Sequence, residues 1–397
     1  MNSEVNPMRR ALPALLRRES STTDAQRRGR RRRWPIVVAV LAGVVTLAAC
    51  ATFETVDYYW QGAAGQIELL ANSQPIPDVI GRSDGALAAR LKRIHEIREF
   101  ASRELGLPNN GSYTRYTDLG RPYVTWNVFA TPELSLKPRQ WCFPIAGCVN
   151  YRGYFREAQA AGESKRLKAA GDDVYVGGVP AYSTLGWFDD PVLSSFVSWP
   201  ETEIARLIFH ELAHQLIYVK SDSAFNESYA TTVEEAGLAR WLASRHDSQL
   251  DKLAARADHM RGVFRDLVRT TRTKLSEIYA SNASDDDKRR AKLEIVAAMK
   301  AAYESAKQGD PAMSGYDRWF AQQPNNAALA AVGLYTDRVP AFRELLHEAN
   351  DNLPTFYQRV RELAARPKRQ RDAALDALAR RAAASAMTAQ RSSTHAN

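Results

Sequence analysis

Three features are scarce in this sequence: cysteine, long apolar runs, and an excess of one charge in the main body. Three Cys among 397 residues exclude a disulfide-dense scaffold. The longest uncharged, mostly apolar run covers residues 36–49, whereas a membrane-spanning helix needs about 20 residues. A composition of 45% hydrophobic and 25% charged residues is typical of a globular protein with a sizeable core.

The net charge of +9 is concentrated at the N-terminus. Residues 1–49 hold ten Arg and three acidic residues, whereas the remainder holds 44 basic and 42 acidic residues. Nucleic-acid binding needs a basic surface on the folded part of the chain, and this body is nearly balanced. We therefore expect no nucleic-acid partner, and we interpret the basic excess as a targeting signal.

The N-terminal segment has the order of features found in an export signal. A basic block, Arg27 to Arg33, precedes the apolar run, which ends in Leu47-Ala48-Ala49-Cys50. This ending resembles a bacterial lipobox, in which the Cys is lipidated and becomes the first mature residue. Residues 1–49 are then a lipoprotein signal peptide with a long basic n-region. An uncleaved short membrane anchor is the alternative.

Lipidation at Cys50, with palmitate among the acyl chains, would place the protein in the bacterial cell envelope, membrane-anchored and facing the periplasm. Ala51 and Thr52 follow the Cys, and the absence of Asp there favours the outer over the inner membrane. The Arg pairs leave the export route open between the general and the twin-arginine pathways.

The two remaining cysteines are close in sequence. Cys142 and Cys148 flank a short segment with Pro144 and Gly147, which allow a turn. In an oxidising periplasm we expect them to form a disulfide bond. A pair of metal ligands is the alternative.

The chain changes character along its length, which predicts a predominantly helical α+β protein. Residues 86–104 have apolar side chains at helical intervals. Residues 105–156 and 174–184 are β-like with turns, so a small sheet precedes the helices that follow residue 200. Residues 247–308 predict a helical pair. We expect one domain over 50–365 and a tail over 366–397 that is a solvated helix or disordered.

A helix predicted over residues 202–219 carries the chemistry. His210 and His214 are four residues apart, so both imidazoles project from one face and can bind one ion. Glu211 lies beside them, where its carboxylate can reach a metal-bound water and act as the general base. This is the H-E-x-x-H pattern of zinc peptidases. The alternatives are a pair of core histidines and a metal site without catalysis.

Downstream residues add a resemblance to a family. The segments His-Glu-Leu-Ala-His-Gln and Asn226-Glu227-Ser-Tyr-Ala resemble the gluzincin metallopeptidases, in which a Glu on a second helix is the third ligand. Together with Trp-Cys-Phe-Pro-Ile-Ala-Gly-Cys at 141–148 and Ala-Tyr-Ser-Thr-Leu-Gly-Trp-Phe-Asp-Asp-Pro at 181–191, they resemble a family of predicted bacterial aminopeptidases. The resemblance implies a zincin-like core, one Zn²⁺ per chain and peptide substrates.

The third ligand has more than one candidate. The Asn-Glu element favours Glu227, whereas the longer spacing of the aminopeptidase N branch would suit Glu234, with Glu235 as a further alternative. Glu234 lies seven residues after Glu227, on the same helical face. We therefore expect it to hold a ligand imidazole rather than the metal.

The remaining site residues are hypotheses. Gluzincins lay substrate along an edge strand, and Gly177 and Gly178 could belong to that strand; an ordinary strand with a bulge is the alternative. Asp190, or Asp189, could bind the free amine of a substrate, although Asp-Asp-Pro is more typical of a turn or helix start. The sequence has no Gly-Ala-Met-Glu-Asn element, which binds the amine in aminopeptidase N.

Tyr335 and, as a second candidate, Tyr182 could donate to the oxyanion. The sequence predicts a zinc peptidase, most simply an aminopeptidase. The alternatives are an endopeptidase of envelope proteins and a non-catalytic zinc lipoprotein.

Overall fold

The computed structural model of the chain describes residues 56, 58–143, 147–334 and 337–394, with side chains up to residue 385. The predicted signal peptide, Cys50 and Tyr335 lie outside the described residues. The chain divides into two compact units, residues 1–61 and 62–397. Residues 56 and 58–61 of the first unit are helical. Within the described part, no helix combines the length and apolarity that a membrane crossing requires.

The second unit is mostly helical, as predicted. Its α-helices, numbered in chain order, are α1 (62–71), α2 (Ile76–Arg82), α3 (Gly85–Arg103), α4 (Glu157–Ala169), α5 (Glu201–Leu216), α6 (Ser223–Arg245), α7 (Ser248–Ala280), α8 (Asp285–Gly309), α9 (Asp317–Ala321), α10 (Asn326–Leu334), α11 (Val339–His347), α12 (Leu353–Ala364) and α13 (Lys368–Thr394). A 3-10 helix, Pro311–Tyr316, links α8 to α9.

The strands form small sheets before the long helices. They are β1 (Gln74–Pro75), β2 (Arg115–Thr117), β3 (Thr125–Pro132), β4 (Trp141–Phe143), β5 (Gly147–Val149), β6 (Arg152–Tyr154), β7 (Asp172–Val179) and β8 (Val192–Leu193). One sheet has the antiparallel order β6-β3-β7, and another has the order β1-β2-β8 with β2 parallel to β8. The hairpin β4-β5 pairs Cys142 with Cys148, and these two residues form a disulfide bond.

The largest core joins α3, α5 and α6 to α11, α12 and α13. On α5, Ile204, Ile208 and Leu212 recur at helical spacing and are buried. The helix bounds differ from the predicted 202–219 by up to three residues. The first turn of α5 carries Glu201 and Glu203, whose charges favour the helix N-terminus.

A second core lies between α7, α8 and α9. Tyr303 of α8 stacks on Phe320 of α9 with ring centroids 3.8 Å apart, and Phe264 of α7 packs against the same group. The helical pair predicted over 247–308 is therefore confirmed.

The C-terminal tail differs from its prediction. It is a helix, α13, but it is not solvated on all sides, because Leu375 and Leu378 are buried in the largest core against α11. Among the side chains of α13 described up to residue 385, these two leucines are the large apolar ones, and many of the others are small alanines. Such a pattern gives no visible stripe in the sequence.

Two local predictions are also corrected. The predicted substrate strand is β7, which pairs with β3 in an uninterrupted register from Asp172 to Val179, so it contains no bulge. Asp189-Asp190-Pro191 does not start a helix, because the chain continues directly into β8.

Candidate metal centre

Helices α5 and α6 pack against each other and hold the titratable cluster between them. His210, Glu211 and His214 are buried on α5, and the neighbouring α6 supplies Glu227. The two imidazole planes are nearly perpendicular, with ring centroids 4.8 Å apart. The four-residue spacing therefore brings both rings to the same side of the helix, as the sequence predicted.

The potential ligand atoms converge on one point. His210 Nε2 lies 3.2 Å from His214 Nε2 and 3.2 Å from Glu227 Oε2, and His214 Nε2 lies 3.6 Å from the same carboxylate oxygen. Tetrahedral zinc with bonds of about 2.0–2.2 Å separates its ligand atoms by about 3.3–3.6 Å. The three side chains thus fit a zinc ion without rearrangement.

Glu234 supports the first imidazole from the opposite side. Its Oε2 accepts a hydrogen bond from His210 Nδ1 at 3.0 Å, which directs Nε2 of the same ring toward Glu227 and His214. Arg206 in turn donates to Glu234 Oε1 at 3.2 Å. The geometry is the one expected for a carboxylate that orients a metal-bound histidine.

Other residues contribute less to the cluster than the sequence allowed. Glu235 accepts two hydrogen bonds from Arg343, so its carboxylate is engaged away from the imidazoles. His214 Nδ1 is buried and has no hydrogen-bond partner among the described residues. The polar contacts of this ring are therefore those of Nε2, which faces His210 and Glu227.

Asn226 explains the Asn of the Asn-Glu element. Its side chain accepts from Val219 N and donates to Val219 O, both at 2.8 Å. This pair of hydrogen bonds ties the start of α6 to the loop that leaves α5. The contact sets the position of Glu227 relative to the two histidines.

The disulfide hairpin packs on the same loop. Cys148 N donates to Ser221 Oγ at 3.0 Å, and a Cβ added to Gly147 would lie 2.3 Å from that oxygen. Gly147 also has φ of 75°, which favours glycine. The disulfide hairpin therefore packs beside the loop that connects α5 to α6.

Charges in the cluster are strongly coupled. Burial would raise the pKa of Glu227, but the charge of His214 and a hydrogen bond from His210 outweigh it and lower the pKa to about 2. Burial would lower the pKa of His210, but its hydrogen bonds to Glu227 and Glu234 raise it well above the ordinary value. A metal ion entering the site would have to displace a proton from His210.

Glu211 is the carboxylate suited to proton transfer. Burial raises its pKa, while the charges of His210 and His214 lower it in part. A carboxylate with a raised pKa takes up a proton more readily near neutral pH than an exposed one does. The charges of His210 and His214 act on this carboxylate, so it lies near both imidazoles.

A polar network that the sequence did not reveal joins α5 to two loops. Gln215 Nε2 donates to Ser112 Oγ and to Asp190 Oδ2, both at 3.2 Å, and Gln215 Oε1 accepts from Asn110 Nδ2 at 2.8 Å. Asp190 Oδ2 also accepts from Thr184 N at 3.0 Å. Asp190 Oδ2 therefore accepts hydrogen bonds within the protein, and the carboxylate holds its loop to α5.

Burial raises the pKa of Asp190 to about 7, although hydrogen bonds from Thr184 and Gln215 oppose the rise. Tyr113 lies in the same region: its amide donates to Asp190 O at 2.6 Å, and its buried hydroxyl has no partner among the described residues. Burial and the charge of Glu211 raise the pKa of Tyr113. The backbone of Tyr113 is unusual, with φ of 63°, but nothing in the sequence indicates this conformation.

The other predicted residues have structural contacts. Tyr182 donates its hydroxyl to Gln66 Oε1. A Cβ on Gly178 would lie 2.3 Å from the Tyr123 ring, and one on Gly177 would lie 3.2 Å from Tyr175. These glycines make room for aromatic rings on a strand that, in the described part, has a strand neighbour on one side only.

Comparison with known proteins identifies one family. No curated protein and no solved structure matches the chain. One family model, described as "Putative aminopeptidase", matches residues 57–375. The match includes both ligand helices and extends past the boundary expected at 365. It covers most of the chain, which therefore belongs to this aminopeptidase family.

Proposed function

We propose that the protein is a zinc-dependent peptidase, an aminopeptidase in its simplest form, with one Zn²⁺ per chain. The observation that carries the proposal is the convergence of His210, His214 and Glu227 within 3.2–3.6 Å of one another. Three protein ligands with a fourth position open are typical of catalytic zinc, whereas structural zinc has four. The family description supplies the peptide substrates.

The side chains around the metal have distinct roles. Bound zinc would polarise the scissile carbonyl and make a water molecule more acidic. Glu211 accepts the proton of the attacking water and returns it to the leaving amine, a role for which its raised pKa suits it. Glu234 holds His210 in the orientation that presents Nε2 to the ion.

The test of this mechanism is Glu211→Gln. Gln has nearly the same shape but cannot accept the proton, so zinc content should stay at one per chain while peptide turnover falls by at least about a hundredfold. Metal analysis and a peptide-library assay, run on both proteins, measure the two quantities. Retained turnover in the zinc-loaded variant would rule out Glu211 as the base.

The assay also separates the alternative functions. A panel of peptides with free and acetylated N-termini decides between an aminopeptidase, which rejects blocked ends, and an endopeptidase, which accepts them. One zinc per chain with no turnover on any peptide would identify a non-catalytic zinc protein.

We also propose that Cys50 is lipidated and anchors the protein in the bacterial cell envelope, facing the periplasm. The lipobox-like residues 47–50 and the preceding basic block support this. Mass spectrometry of the membrane fractions from wild type and Cys50→Ser tests it. The acylated peptide found in wild type should be missing from the variant. An unchanged N-terminal peptide in the two proteins would contradict lipidation.

A further inference from the structure

A turn near α5 exposes two aromatic side chains to water. Trp187 is 68% exposed and Phe188 is 51% exposed. The turn is nevertheless ordered by hydrogen bonds: Thr184 Oγ1 accepts from Phe188 N at 3.2 Å and donates to Phe188 O at 3.1 Å. Two adjacent large apolar side chains that a hydrogen-bonded turn keeps exposed to water indicate a binding surface.

The backbone of this turn has an unfavourable conformation. Leu185 has φ of 56° and Gly186 has φ of 80°. The left-handed conformation costs a non-glycine residue about 1 kcal/mol, and such residues cluster at functional sites. The turn is thus maintained at an energetic cost.

The base of the turn is hydrogen-bonded to α5. Asp190 is 4% exposed, and its carboxylate accepts from Gln215, the residue that follows the proposed ligand His214. A Cβ on Gly186 would also lie 3.9 Å from the Gln215 side chain. The position of the aromatic pair is therefore fixed relative to α5.

The turn forms one wall of a cavity of about 450 Å³, a volume in the range of small-ligand sites. The residues that line it include Leu70, Ser73, Arg115, Trp187, Phe188 and Asp189. In the described part of the chain, Arg115 and Asp189 are the charged residues among them. The cavity thus combines an apolar wall with one cation and one anion.

Arg115 is held in place, and neither Arg115 nor Asp189 is neutralised by an ion pair in the described part of the chain. Arg115 Nε donates to Ser73 Oγ at 2.8 Å, and its Nη2 donates to Ser73 O, so the guanidinium is fixed by neutral groups. Among the described residues, no ion pair within 4.0 Å involves Arg115 or Asp189. Opposite charges that line one cavity without pairing are complementary to a ligand with both charges.

Gly111 lies directly beside the exposed Asp189 carboxylate. A Cβ at residue 111 would lie 2.3 Å from Asp189 Oδ2 and 2.5 Å from its Cγ. Any larger residue at 111 would therefore displace the carboxylate from its place at the cavity.

We propose that this cavity binds a zwitterionic ligand with an apolar side chain: a short peptide with both ends free, or the amino acid that its cleavage releases. Asp189 binds the α-ammonium, Arg115 binds the α-carboxylate, and Trp187 with Phe188 packs on the apolar side chain. The choice of ligand rests on the proposed peptidase function and names its substrate class. A longer peptide would present only its free amine to Asp189.

The test measures binding rather than turnover. The zinc-loaded Glu211→Gln chain is titrated by calorimetry with leucyl-leucine, its N-acetyl form, its C-terminal amide and free leucine. We expect the N-acetyl and amide forms to bind at least about tenfold more weakly than leucyl-leucine. Leucine binding as tightly as leucyl-leucine would identify the product as the occupant, and markedly weaker binding would identify the peptide.

Variants locate the site. In the same background, Asp189→Asn should weaken leucyl-leucine at least about tenfold but leave the N-acetyl form unchanged, and Trp187→Ala should weaken both. Controls are Asp286→Asn, whose side chain is 89% exposed on α8, and Leu293→Ala, 72% exposed on the same helix. Because zinc itself can bind a free carboxylate, the differences between variants decide the outcome.

Binding within twofold of the parent in both Asp189→Asn and Trp187→Ala would overturn the proposal, as would no detectable binding of leucyl-leucine. Turnover by wild type together with such a result would leave the peptidase function standing. The expected binding pattern without wild-type turnover would remove the peptidase function and keep the cavity.

Discussion

His210 has a carboxylate at each ring nitrogen, Glu227 at Nε2 and Glu234 at Nδ1. One carboxylate can share a metal with the imidazole, and the other fixes its tautomer. Burial would raise the pKa of Glu234, but the hydrogen bond from His210 and the charge of Arg206 lower it, so Glu234 stays ionised. The contact therefore adds both orientation and basicity to the ligand.

Glu234→Gln should lower zinc affinity at least about tenfold, because the amide keeps the shape but removes the charge that makes His210 a stronger ligand. Competition with a chromophoric chelator measures the change. The control is Glu235→Gln on the same helix, whose carboxylate pairs with Arg343. Equal loss of affinity in the two variants would show that Glu234 has no special role.

Asp190 predicts a pH dependence of stability. Its folded pKa of about 7 lies above the ordinary 3.8. The folded state therefore holds the proton longer, so this contribution to stability is complete below about pH 4 and is lost as pH rises through about 7. Asp190→Asn cannot ionise, and should become more stable relative to wild type over this range, by on the order of 4 kcal/mol.

Denaturant unfolding at a series of pH values measures that difference. The sign is informative, since a carboxylate that was ionised and stabilising in the folded state would give the opposite trend. A difference independent of pH would show that Asp190 titrates alike in the folded and unfolded chain.

The relative positions of site residues could be predicted from the sequence where both residues lie on one helix. The four-residue spacing of His210 and His214 predicts a shared face, and the seven-residue spacing of Glu227 and Glu234 predicts another. Contacts between Gln215 and Ser112 have no such signal, because the two residues are 103 positions apart. Tyr113 was missed for the same reason.

At the scale of elements, α6 depends on a helix far away in sequence. Asp222 caps α6, and its carboxylate pairs with Arg371 of α13 at 2.7 Å, with both side chains 6% exposed. The guanidinium also lies 5.4 Å from the centre of the Phe225 ring. The tail helix therefore supports the N-terminus of the helix that carries Glu227.

Arg371→Met should lower the free energy of unfolding by about 3 kcal/mol, because Asp222 stays buried and, within the described part of the chain, keeps Lys368 at 3.4 Å as its one remaining charge partner. Chemical denaturation measures the loss. Arg380→Met, an exposed position on the same helix, serves as the control. A loss of equal size at both positions would contradict a specific role for the buried pair.

Elements with strong periodicity were predictable from sequence, and α3, α5, α7 and α8 are where the pattern put them. The packing of α13 was not predictable, because two leucines among alanines gain their burial from α11 and not from a stripe of their own. The sheet order was equally out of reach, since strand pairing depends on contacts distant in sequence.

At the scale of the whole molecule, the candidate metal centre is supported by segments spread along the chain. The core around α5 and α6 includes α3 on one side in sequence and α11 to α13 on the other. The family match over residues 57–375 spans these segments. Fold class and a peptidase family could be predicted from short motifs, whereas the supporting network needed the folded chain.

The central claim is that His210, His214 and Glu227 bind one zinc ion and leave one position open. Zinc X-ray absorption on the loaded protein, with metal content measured on the same sample, tests it most directly. We expect one zinc per chain with two imidazole nitrogens and oxygen ligands at about 2.0–2.2 Å, and loss of the metal in His214→Ala. Sulfur at about 2.3 Å, or full zinc content in His214→Ala, would contradict it.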